Sequence, residues 1–449
     1  MLVAMTVLLA FCLAQLSEPA SPWPQFRGPG GAGQCREVPP LVESPEQATW
    51  STPLPGKGWS SPILVGPLVW MTTALDEGGD LRALAVDRAT GKLIHDVSLF
   101  EPSHIEEIHG ENSYASPTPC TDGRRVFCHF GRYGTAAVDA ASGEVVWRDT
   151  THPVEHQGGP GSSPVLAGGH LILTLDGADE SYLVALNPDD GREVWRSGRS
   201  GPRRESRITH RAFSTPLVLS PTASGRRENE ASEPEESPRH VVVSPGGDQC
   251  NAYDAASGRE LWHVRYVGFS TVPQPVRLGE RLAFTTGFFK PSLLGVDLSQ
   301  PLSGDVTETA VRWRYNGAVP DIPSPIESLG LIWTTSDRGV LTALDPATGD
   351  RVHASRLRGN IAASPIFAAE SPTEGLLMVG TKEREFLTVR LNVRSKEDDA
   401  KPTATVLARA RLDSPLYATA AADDNSLFIR TRDRLWRFDR GDKAAASTR

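Results

Sequence analysis

One phrase recurs along this chain: Ala-x-Asp, a turn of small residues ending in Gly, and a Trp eight residues after the Asp. Ala137-Val138-Asp139 leads to Trp147, Ala185-Leu186-Asn187 to Trp195, and Ala252-Tyr253-Asp254 to Trp262. Asp87 to His95 and Asp345 to His353 keep the spacing of eight with His in the Trp slot, and Asp297 to Trp313 is stretched to sixteen by the insert around Gly304-Asp305-Val306-Thr307. A unit of about 40–50 residues cannot bury its own apolar faces and must stack on copies of itself, as in a propeller or solenoid. Function then has to be sought in what the repeats leave over.

A second marker, Ser/Thr-Pro ahead of an apolar strand, gives an independent count. It stands at Ser61-Pro62, Ser116-Pro117, Ser163-Pro164, Thr215-Pro216, Ser324-Pro325, Ser364-Pro365 and Ser414-Pro415, with Val272-Pro273 in the remaining slot. Each unit then runs through four short strands joined by turns, which is one antiparallel propeller blade. The expected fold is all-β, an eight-bladed propeller, with seven blades the alternative. The last unit, from Ser414 to Asp439, lacks a fourth strand, and Ala48-Thr49-Trp50-Ser51-Thr52 precedes the first marker. Pairing residues 48–52 with the last blade would close the ring and remove open sheet edges. Trp50, Trp147, Trp195, Trp262, Trp313, His95 and His353 are expected to fill the wedges between blades, where a large ring with a polar tip packs well. The propeller is assigned to residues 46–440, after a signal peptide within 1–20 and an N-terminal extension over 21–45, and before a disordered tail at 441–449. Two charged segments, 221–239 in blade four and 394–402 in blade seven, read as solvated loops.

The chain of 449 residues carries a net charge of −9 and no sustained basic run, so nucleic acid gets no electrostatic support as a partner. The apolar stretch from Leu2 to Leu13 is too short to span a bilayer, and Cys12-Leu13-Ala14 resembles a small-residue cleavage site, so export to the periplasm or exterior is expected. Phe11 stands where a lipobox needs a small residue. Four cysteines follow, Cys35, Cys120, Cys128 and Cys250. Cys120 and Cys128 flank one turn and could bridge a hairpin, but buried free thiols are the simpler reading, because cross-strand disulfide geometry is demanding.

Three connections between blades carry the dense polar residues. The first holds His104, Glu106, Glu107, His109, Glu111, Asn112 and Tyr114; the second His152, Glu155, His156 and Gln157; the third Arg203, Arg204, Arg207, His210 and Arg211. Such connections gather at the mouth of the central channel. His with carboxylates suits a divalent metal or acid–base work, and Arg suits carboxylate, phosphate or sulfate groups. The competing readings are exposed polar loops and locally neutralised charge. The ligand-binding candidates are His104, Glu106, His109, Glu111, His152, His156, Arg203, Arg207 and Arg211, with no catalytic residue named and metal ligation left open.

The repeat written out as Ala137-Val138-Asp139-Ala140-Ala141-Ser142-Gly143-Glu144-Val145-Val146-Trp147 resembles the tryptophan-docking motif of quinoprotein-type propellers. The opening Trp23-Pro24-Gln25-Phe26-Arg27-Gly28-Pro29, with Pro53 to Pro62, is similar to secreted PQQ-like propeller repeat proteins of planctomycete-type bacteria, which are themselves similar to BamB-like assembly factors of the outer membrane. The resemblance implies, in the dehydrogenase branch, pyrroloquinoline quinone, a Ca²⁺ held by Glu, Asn and Asp, an Asp base and a vicinal disulfide. This chain has no Cys-Cys pair, and no residue matches those active-site motifs. The reading is therefore an exported, monomeric, non-catalytic scaffold for an envelope protein or polymer, without a cofactor. The alternative is an oxidoreductase or hydrolase dependent on pyrroloquinoline quinone with Ca²⁺, or on another metal, with its site in the channel mouth.

Overall fold

The computed structural model describes residues 22–201, 204–220, 239–288, 290–393 and 401–441. The signal-peptide assignment, most of the two charged loops and nearly all of the tail lie outside the described residues. Eight antiparallel sheets surround one axis. In blade 1 the strands are Ile63–Val65, Leu68–Leu75, Asp80–Asp87 and Leu93–Phe100, from the axis outward. The innermost is buried throughout, whereas the outermost is half-buried or exposed from Leu93 to Ser98 and buried only at Leu99 and Phe100, so burial falls off with distance from the axis.

Blade 8 takes its outer strand from the other end of the chain. Trp50–Pro53 pairs with Arg434–Asp439, setting Trp50 opposite Arg437, and the backbone N–H of Thr49 extends the ladder to the Arg437 carbonyl at 2.8 Å.

The core lies in the wedges between blades, because alternate side chains of each strand face opposite neighbours. Leu64 enters the wedge toward blade 8, while Ile63 and Val65 enter the wedge toward blade 2. The same alternation settles the cysteines. Cys120 pairs across the ladder with Phe127, so Cys128, one residue on, points to the opposite face. Cys120 joins the wedge with blade 3 and Cys128 the wedge with blade 1, and all four described cysteines are free thiols. Burial pushes the Cys128 thiol up to about 12.

The Trp slot works through the next blade's turn. The indole N–H of Trp147 donates to the Pro188 carbonyl at 2.9 Å, Trp195 to Ala255 at 3.2 Å, Trp313 to Pro346 at 2.9 Å, and Trp50 to Arg88 at 3.0 Å. His95 makes the equivalent bond to Ala141 at 3.0 Å. The turn glycine is needed twice over: Gly191 has φ +74°, and a Cβ there would sit 2.6 Å from the Trp147 ring. One slot, that of Trp262, differs from the sequence reading. Trp262 is buried but bonds no carbonyl of blade 5, where the corresponding turn is replaced by the insert running through Gly304–Asp305 and Thr307–Ala310. His353 bonds Ser355 of its own strand at 3.0 Å and also reaches the backbone of Pro402, just ahead of the outer strand of blade 7, so its slot is used although blade 7 has no Gly turn.

The Ser/Thr-Pro marker also needs a change of register. The residue two positions before each inner strand is Ser61, Thr118, Ser163, Thr215, Gln274, Ser324, Ser364 or Thr419. Thr118-Pro119 and Gln274-Pro275 therefore replace Ser116-Pro117 and Val272-Pro273, and Thr419-Ala420 replaces Ser414-Pro415. These hydroxyls form a belt. The backbone N–H of Ser61 donates to Thr118 Oγ1, Thr118 to Ser163 Oγ, and Ser163 to Thr215 Oγ1, at 2.9, 3.0 and 3.0 Å. Gln274 donates to Ser324 Oγ, Ser324 to Ser364, Ser364 to Thr419 and Thr419 back to Ser61, at 3.0, 2.9, 3.1 and 3.0 Å. The belt is broken between Thr215 and Gln274, where the Gln274 amide instead reaches the Pro216 carbonyl at 3.1 Å.

Candidate functional site

The N-terminal extension determines the shape of the site. Leu64 donates to the Trp23 carbonyl and Thr121 to that of Pro24, anchoring the segment on blades 1 and 2 at 2.9 and 3.0 Å. On the far side Arg27 donates to the Pro325 carbonyl at 2.8 Å, while Gly33 and Cys35 exchange backbone bonds with Phe367 at 2.8 and 2.7 Å. Between these anchors Gly31 lies against Gln274, so close that a Cβ would meet its Nε2 at 2.7 Å. The segment thus runs across one end of the central channel, with Phe26 in the channel wall. Burial lowers the Arg27 guanidinium to about 9.

What remains is a funnel of about 980 Å³. Its deep wall contains the belt hydroxyls. Above them stand Trp59, Ser116, Gly161, Phe213, Val272, Ile322, Ala362 and Tyr417, each two residues before a belt position. Period-two alternation explains why both sets face the channel. Trp59 and Tyr417 stack, with centroids 4.3 Å apart and planes 19° off parallel. Phe269 and Phe288 meet edge to face at 5.8 Å.

Charge is distributed unevenly around this wall. Lys382 pairs with Glu111 at 2.5 Å. Asp337 accepts the backbone N–H groups of Asp321 and Ile322 at 2.7 and 3.1 Å. Burial, and then the neighbouring Asp337 charge, raise the Asp321 carboxyl to about 6. Arg211 crosses the Phe269 ring at 5.8 Å and bonds Ser270 Oγ at 3.0 Å and Gln157 Oε1 at 3.3 Å. Arg204 bonds the Gly268 carbonyl.

Of the nine ligand candidates, His109, Glu111 and Arg211 line the funnel, and from the same connections so do Asn112, Gln157 and Arg204. Glu106 does not; it pairs with Arg132 in a separate crevice of about 10 Å³, room for one water at most. His104 is exposed outside the funnel wall. His152 is held between Asp149 at 2.6 Å and Glu193 at 2.8 Å. Burial alone would lower its pKa, but these two hydrogen bonds outweigh it and raise the ring above its ordinary value. His156 is buried against Gly131 and Phe213, and burial lowers it to about 4, so it is a neutral packing ring. Arg203 and the side chain of Arg207 lie outside the described residues. The aromatic wall, Lys382 and the Asp321/Asp337 pair were not anticipated. A correctly registered belt would have located the wall, two residues upstream of each belt position. The residues on hairpin tips carry no such marker.

The quinoprotein resemblance implies a Ca²⁺ site and a vicinal disulfide. Among the described residues no three His, Cys, Asp or Glu side chains converge as ligands, and the cysteines stand apart as free thiols.

The family model described as outer membrane protein assembly factor BamB matches residues 47–229, 136–310 and 234–448. No curated protein matches the sequence. Among solved structures, BamB from Moraxella catarrhalis is 14% identical with a TM-score of 0.53, covering 87% of this chain and 99% of its own. A europium-containing methanol dehydrogenase is 10% identical with a TM-score of 0.63, covering 94% and 99%. Quinohemoprotein alcohol dehydrogenase from Comamonas testosteroni is 12% identical with a TM-score of 0.63, covering 95% and 82%. At these identities the likeness is one of fold, which hosts both chemistries.

Proposed function

This chain belongs to the PQQ-like repeat family described as outer membrane protein assembly factor BamB, and from that premise we propose that it is an exported, non-catalytic binding scaffold of the cell envelope. Its partner is a protein or polymer that enters the funnel mouth. The observation that carries this reading is the aromatic wall, Trp59 stacked on Tyr417 and Phe213 further round, in a channel that the N-terminal segment crosses. Rigid aromatic faces at the rim of a concave site give large contact area at low entropic cost. No helix of the described residues is long and apolar enough to cross a membrane.

The test is capture from envelope extract by immobilised protein. The double variant Trp59→Ala/Tyr417→Ala, with melting checked, should lose the captured partner; undiminished capture would refute the funnel as the binding face. Incubation with pyrroloquinoline quinone and Ca²⁺ gives the counter-test, and metal analysis of the parent with His104→Ala and His109→Ala covers other metals. A bound chromophore, a thermal shift with the quinone, or a stoichiometric metal lost in the His variants would overturn the non-catalytic reading.

A further inference from the structure

Around the funnel, most charged side chains meet a partner of opposite sign or a donor. The sector between blades 3 and 5 is different. Among the described residues Arg211 bonds only the neutral oxygens of Ser270 and Gln157, and Arg204 only the Gly268 carbonyl, while the Arg204 Nε is buried with no hydrogen-bond partner among them. Arg204 and Arg211 both line the cavity, and neither forms an ion pair with a carboxylate of the described residues. Burial accordingly lowers Arg211 from its ordinary value, as expected of a positive charge without compensation. Phe213, Phe269 and Phe288 form the apolar wall beside them. Further round, at blade 6, Asp321 and Asp337 supply negative charge to the same cavity.

We propose that this sector binds an organic monoanion with an apolar body, the carboxylate on Arg211 and Arg204 and the body against Phe213, Phe269 and Phe288. A planar guanidinium matches a carboxylate fork, and partial enclosure strengthens the pairing. The aromatic wall selects an apolar body over a fully hydrated one. The Asp321/Asp337 pair disfavours a second negative charge on the ligand. The inference rests on the funnel being a binding site and adds the chemistry of what it takes. A free carboxylic acid and the C-terminus of an apolar chain share that chemistry.

Calorimetric titration of the full chain with 3-phenylpropanoate, with 3-phenylpropanamide, and with a Phe-terminated tripeptide carrying a free carboxylate tests it. The acid should bind at one site at least about tenfold tighter than the amide, since only the acid forms the charge-assisted pair. Arg211→Gln should erase that preference, and Phe213→Ser should weaken acid and amide alike. Tighter binding of the tripeptide than of 3-phenylpropanoate identifies a chain end as the source, and the reverse order a small acid. Equal binding of acid and amide, or no binding of either carboxylate at millimolar concentration, overturns the assignment. Because the amide comparison uses the unmodified protein, it holds even if a variant fails to fold. Envelope capture that is insensitive to Trp59→Ala/Tyr417→Ala would instead overturn the scaffold reading, so the two failures are distinguishable.

Discussion

The seam between blades 8 and 1 and the seam between blades 4 and 5 reverse the expectation set by chain connectivity. At the first, strands from the two ends of the sequence must meet, yet every device of the repeat is intact: the Trp50 indole docks on Arg88, and Thr419 closes the hydroxyl belt on Ser61. At the second the chain is continuous, yet both devices are missing. Gln274 takes the place of a belt hydroxyl, and Trp262 finds no Gly turn to dock on. Replacements have been recruited there. Gly304–Asp305 adds a parallel strand beside Trp262, Val306 and Ala310 join the wedge core, and Gly31 of the N-terminal segment covers Gln274. The uncompensated arginines and the Phe269/Phe288 pair occupy the funnel wall beside this second seam. Regularity is strongest where the ring must be closed, and it lapses where the cavity acquires its chemistry.

The sharpest way to break this comparison is to remove the closing strand. Deleting residues 46–54 should unfold the disc or lower its Tm by more than about 10 °C, several kcal/mol for a domain of this size; a truncated protein with unchanged melting would show that the seam is dispensable. Next in size is Ser61→Ala, which leaves the buried Thr419 amide without its acceptor and should cost about 1–3 kcal/mol by denaturant titration. Gly31→Ala probes the replacement at the other seam. With φ +69° and Gln274 at 2.7 Å, it should cost about 1–2 kcal/mol, and neutrality would mean the N-terminal segment does not support that seam. Trp147→Phe should destabilise more than Trp262→Phe by about 1 kcal/mol, because only Trp147 gives up a docking hydrogen bond.

The smallest effect concerns the Asp321 carboxyl. Its folded pKa, about 6, lies above the ordinary 3.8, so ionising it costs stability, and that cost is in force above pH 6 and fades as pH falls to about 4. Asp321→Asn should therefore be the more stable protein at pH 7.5, by about 1 kcal/mol once the half-exposed site is discounted for solvent screening. The two melting curves should converge near pH 4, and a constant gap across pH would contradict the burial argument.

The architecture was legible because it is built from repeated local chemistry. An Asp-to-Trp spacing and a recurring Pro-led strand state the blade and its copy number without reference to distant contacts. Register was harder. Ser116-Pro117 satisfies the marker by composition and Val272-Pro273 fills its slot by spacing, but both sit two residues too early, on the wall instead of the belt. The site was only partly legible, since the charged loops drew notice to His152 and His156, which the structure spends on a hydrogen-bonded link between Asp149 and Glu193 and on packing. Trp59, Phe213 and Tyr417 belong to different blades, and only closure of the ring brings them to one wall. The N-terminal segment gave no sign that it would cross the channel, because its anchors, Leu64, Pro325 and Phe367, lie far away in sequence.

The central claim is that the repeat devices hold the disc while the irregular sector binds. One paired titration tests it most directly, measuring the Tm and the 3-phenylpropanoate dissociation constant of the parent, Trp147→His and Arg211→Gln under the same conditions. Trp147→His, which installs the residue blade 1 uses in that slot, should lower the Tm and leave the dissociation constant unchanged. Arg211→Gln should leave the Tm within about 2 °C and weaken binding at least about tenfold, the loss of one charge-assisted pair. Binding that follows the Tm in both variants, or that survives Arg211→Gln, would contradict the separation of scaffold from site.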